Sequence, residues 1–116
     1  MQSQSLSKFI LIAALVIVFG WFGIDKLVEP YLWIQWIPPW MDGLGGVRSN
    51  VWLTIIGVVE ILFALLLLIP KRRVQQVAVV LMIGHLIGVL TQTGWSDIGV
   101  RDFGLLLSGA ALLLLL

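Results

Sequence analysis

Residues 51–69 read VWLTIIGVVEILFALLLLI, residues 70–73 read PKRR, and residues 74–92 read VQQVAVVLMIGHLIGVLTQ. At 1.5 Å per residue each apolar run makes about 28 Å of helix, close to the hydrocarbon thickness of a bilayer. The short basic turn between them forces an antiparallel hairpin of neighbouring helices. Each run carries one ionisable side chain in its interior, Glu60 in the first and His85 in the second.

Two more spans flank this hairpin. Lys8 opens an apolar run over residues 9–28 that ends in Asp25-Lys26-Leu27-Val28. No small-x-small cleavage site follows, so the run reads as a retained first span with Lys26 snorkelling to the interface. Residues 1–7 are polar and read as a frayed end. Asp97 is placed to cap a last helix over 98–116. Between spans one and two, residues 31–41 contain Trp33, Trp36, Trp40 and Pro38-Pro39. This stretch is too short and broken to cross, so the tryptophans are expected as interfacial anchors on a surface-lying or re-entrant segment. The prediction is a single all-α domain over 1–116, an integral membrane four-helix bundle, with the lipid bilayer as its first partner.

Composition agrees. The 116 residues are 60% hydrophobic and 11% charged, against about 25% charged in soluble domains. A net charge of +1 leaves no field for nucleic acid. The absence of cysteine removes disulfides, thiol relays, iron–sulfur clusters and thiolate zinc sites. With one histidine, no metal site is expected within a protomer, and no intrinsic cofactor is evident. Lys8, Lys71, Arg72 and Arg73 share one side of a four-span topology with no acidic residue, so both termini are expected to be cytoplasmic.

Glu60 lies at mid-span, where a charge costs about 2.5–3.5 kcal/mol. Helical spacing puts Glu60 on a stripe with Gly57 and Ala64, and His85 on one with Ala78, Met82, Gly88 and Gln92. Arg101 aligns with Gly104, Ser108 and Ala111, and the first span repeats Ala13, Gly20 and Leu27. These stripes are expected to face a common interior. Gly84-x-x-x-Gly88 adds a close-packing signal. Asp25, Lys26, Arg101 and Asp102 gather at the outer ends of spans one and four. They read either as ion pairs fixing register or as a charged lining above a pocket roofed by the tryptophans. Glu60 and His85 read either as a helix fastener or as ligand-binding or proton-relay groups.

Gly23-Ile24-Asp25-Lys26-Leu27 and Gly57-Val58-Val59-Glu60 resemble the Gly-x-x-Lys-Leu and Gly-x-x-Glu segments of the DoxX-like family of small bacterial and archaeal membrane proteins. Arg72 or Arg73 stands where that family often has a basic residue. The likeness extends over residues 9–116. It implies a four-helix bundle in the cell (inner) membrane of a prokaryote and, for some members, association with quinone-linked oxidoreductases. Three functions stand open: an accessory or quinone-site subunit of a membrane redox complex, a non-catalytic scaffold or homo-oligomer, and a small proton or solute transporter. The sequence has no nucleophile–base set and no phosphate-binding glycine loop, so no autonomous catalytic constellation is expected.

Overall fold

A computed structural model describes residues 2–116. Its four helices are α1 (Gln2–Val28), α2 (Ser49–Leu68), α3 (Arg72–Thr93) and α4 (Asp97–Leu115). All four are long and apolar enough to cross a membrane. There is no strand among the described residues, and the chain is an all-α, multi-pass membrane bundle. The polar residues ahead of Phe9 are helical as well, because nothing in Gln2–Lys8 breaks a helix and propagation from an established helix needs no new nucleus.

The outer surface identifies the solvent. Ile10, Ile17, Trp21, Leu62, Leu65, Val77, Val80 and Leu107 are each exposed by 45% or more, and they lie on every helix. Water would not tolerate so broad an apolar surface, whereas acyl chains match it.

The main core cluster fills the half of the bundle nearest the termini and the basic turn. Leu15, Leu67, Ala78, Val79, Met82 and Leu112 are almost fully buried there, and Phe19 and Leu86 form its upper limit. Gln75 Nε2 donates to the Leu67 carbonyl (3.1 Å) and ties the α2–α3 turn. The inward stripes of α1 and α4 differ from the expected ones. On α1 the buried line is Leu15, Phe19 and Gly23, and on α4 it is Gly99, Asp102, Gly109 and Leu112. The small-residue periodicities put the interior one or two positions away: Leu15 and Phe19 fill it from α1, and Leu112 together with the closely packed Gly109 from α4.

Small residues do govern one crossing. A Cβ at Gly23 would lie 2.8 Å from the Gly57 carbonyl oxygen, and one at Gly57 would lie 2.9 Å from that of Gly23. The backbones of α1 and α2 therefore touch. Gly84 and Gly88 do not behave this way: a Cβ at either meets no atom within 4 Å. The expected close packing of that pair is absent within the chain.

The aromatic stretch is the short, broken segment expected between the first two spans. It folds as 3₁₀ turns at Pro30–Leu32, Ile34–Trp36, Pro39–Met41 and Leu44–Gly46. Pro38 lacks the N–H a continuing helix needs, and the glycine turn closes with Gly43 at φ 85°. Asp42 Oδ1 then accepts from the Ser49 N–H (3.0 Å) at the start of α2. The cap of α4 is Ser96, not Asp97: its Oγ accepts from Gly99 N–H at 3.1 Å.

Candidate functional site

The outer half of the bundle encloses a cavity of about 410 Å³ between all four helices and the aromatic segment. Glu60 projects into it from α2, His85 from α3, Lys26 from α1, and Arg101 and Asp102 from α4. Trp33, Trp36 and Trp40 line the opposite end. Six of the seven expected polar site residues thus share one chamber with all three tryptophans.

Glu60 is 7% exposed. Its Oε2 lies 3.2 Å from His85 Nε2. Its Oε1 lies 2.6 Å from Lys26 Nζ, outside hydrogen-bond geometry, so that oxygen is held by charge and has no hydrogen-bond donor. Lys26 was expected to snorkel outward, and the structure corrects this. The Cα–Cβ bond of a helical residue tilts toward the N-terminus of its helix. Lys26 and Glu60 each follow by three residues the glycine at which the antiparallel α1 and α2 cross. Both side chains consequently lean back toward the crossing and toward each other.

Aromatic faces hold the two cations in place. Lys26 Nζ sits 4.2 Å from the Trp33 ring centroid. The Arg101 guanidinium carbon sits 4.3 Å from that of Phe22, and Phe22 and Trp33 meet edge to face at 5.3 Å. Such contacts offset part of the desolvation of a cation. Trp33 Nε1 donates to Asp25 Oδ2 at 2.7 Å, which draws Asp25 into the wall behind the cavity. Arg101 donates from Nε and Nη2 to Asp102 Oδ1, both at 3.2 Å. Trp40 Nε1 donates to Gln92 Oε1 at 3.3 Å and latches the roof to α3. The imidazole of His85 is packed by Phe63 (centroids 5.8 Å apart) and Phe19 (6.3 Å).

Glu60 thus faces Lys26 and His85, and Asp102 faces Arg101. The arrangement is an apolar aromatic slot with a carboxylate–imidazole contact of 3.2 Å in its wall.

The residue patterns missed Phe22, whose ring carries Arg101. An aromatic one turn before an inward lysine was the available signal. They also missed that Gly84 and Gly88 border the cavity, because a small-xxx-small match reads the same for a packed helix and an open wall. No protein-family model, curated protein or solved structure matches the chain.

Proposed function

We propose that this protein binds the ring of a quinone in the outer-half cavity and serves a membrane redox complex as its quinone-site or accessory subunit. The observation that carries this reading is the placement of the Glu60–His85 pair (3.2 Å) in the wall of an aromatic cavity of about 410 Å³ at membrane depth. A volume near the small end of the ~300–1,000 Å³ range of small-molecule sites suits a substituted ring. Quinone reduction takes up two electrons and two protons. The partner supplies the two electrons, the Glu60–His85 pair passes one proton to one ring oxygen, and the second proton reaches the other ring oxygen from water.

The DoxX-like resemblance supports the same reading. Gly23, Lys26, Gly57 and Glu60 carry that likeness, and all four meet at the α1–α2 crossing. The host membrane in this proposal is a prokaryotic cell membrane, with the termini cytoplasmic and the cavity in the outer half. A purely fastening role accounts for the Lys26–Glu60–His85 and Arg101–Asp102 contacts but not for the chamber they border.

The test is mass spectrometry of organic extracts from the purified protein, with binding of added quinone in lipid nanodiscs. Wild type is expected to retain quinone, and Glu60→Gln to bind it about tenfold more weakly, the equivalent of one lost charge-assisted hydrogen bond. Wild-type protein that neither retains nor binds quinone, together with electron flux indifferent to Glu60→Gln, rejects the proposal.

A further inference from the structure

The glycines of α3 point to a second element of this site. We infer that the Gly84–Gly88 face is a side opening through which the polyprenyl chain of a bound quinone leaves the cavity for the bilayer. The inference rests on the quinone reading above.

Gly84, Gly88 and Thr91 line the cavity and are also exposed, so the chamber reaches the bundle surface along them. Glycine inside a helix is unfavourable relative to alanine, and neither Gly84 nor Gly88 has a positive φ that demands it. Neither is required by packing, since an added Cβ would meet nothing within 4 Å. Gly23, Gly57 and Gly109 differ, because neighbouring atoms stand within 2.8–3.2 Å of where their Cβ would be. What two missing side chains do on α3 is widen the mouth beside His85 and one turn beyond it.

Ligand size requires such a mouth. About 410 Å³ takes a ring and no long chain. A chain gains little from protein over lipid, so it needs an exit more than a binding surface. That exit has to lie at hydrocarbon depth. The roof end does not, because it is built by the 3₁₀ turns between α1 and α2, outside the four membrane-spanning helices.

The experiment compares a decyl-tailed benzoquinone with tail-less tetramethylbenzoquinone in nanodiscs. In Gly84→Leu/Gly88→Leu the tailed ligand is expected to weaken about tenfold or more while the tail-less one stays within about twofold. Gly88→Ala, a milder change, is expected to weaken only the tailed ligand. Gly104→Leu, on an exposed face of α4 away from the cavity, is expected to leave both unchanged. Wild-type affinity for both ligands in the Leu pair and in Gly88→Ala overturns the opening and leaves the quinone reading standing. Equal loss of both ligands in Gly88→Ala also overturns it, since the glycines would then serve the ring. A Gly88→Cys variant that cross-links to a second copy in the membrane overturns it as well, because a packed helix closes the mouth. Wild-type protein that binds neither ligand removes the quinone reading, and this inference with it.

Discussion

Glu60 is the residue on which the interior depends. Its carboxylate is buried against a lysine whose side chain is 11% exposed and a histidine whose side chain is 17% exposed. Removing one member of a buried ion pair leaves the other charge unpaired, at about 3–5 kcal/mol. Lys26→Met is therefore expected to lower stability by that order in detergent unfolding. Lys26→Met/Glu60→Leu should recover most of the loss, because replacing both charges by apolar groups removes the orphan. A double variant no more stable than Lys26→Met would show that the two side chains do not pair. Trp33→Phe tests a neighbouring contact. It keeps a ring near Lys26 but removes the Nε1–H bond to Asp25, an expected loss of about 1.5–3 kcal/mol for a bond to a charged acceptor.

At the scale of elements, the crossing of α1 and α2 sets the site. Backbone contact at Gly23 and Gly57 brings Lys26 within reach of Glu60. Gly23→Leu or Gly57→Leu drives the helices apart, with an expected cost of about 1–3 kcal/mol or more from overpacking and loss of quinone binding. Gly20→Leu on the same helix meets open space and should leave both properties intact. Both glycines and both charges were visible in the chain as Gly-x-x-Lys and Gly-x-x-Glu. Their meeting was not, because sequence spacing orders residues along one helix and says nothing of which turn of a second helix lies opposite. The 3₁₀ roof was half legible. Pro38-Pro39 and the glycine turn announce a break, yet the Trp40–Gln92 latch spans 52 positions and has no local signature.

The whole molecule is a bundle about 49 Å long, with its main apolar core toward one end and the aromatic cavity toward the other. The basic turn lies at the core end and the cavity at the end opposite. The basic turn is expected on the cytoplasmic side by the positive-inside rule, which is open to a direct check. The natural chain has no cysteine, so single cysteines report cleanly. Gly45→Cys in intact cells is expected to react with a membrane-impermeant maleimide, and Arg72→Cys only after permeabilisation. The reverse pattern would turn the cavity to the cytoplasm. Apolar length, four runs near the hydrocarbon thickness and the clustering of basic residues determined from sequence alone that this chain is a helical membrane bundle, because lipid constrains length and polarity one segment at a time. Helix rotation was decided only by the tertiary structure. Packing of Leu15 and Phe19 on α1, and of Gly109 and Leu112 on α4, chose which face of each turned inward. That choice swung Lys26 away from the interface and opened a chamber beside Glu60, since packing is a property of several helices at once.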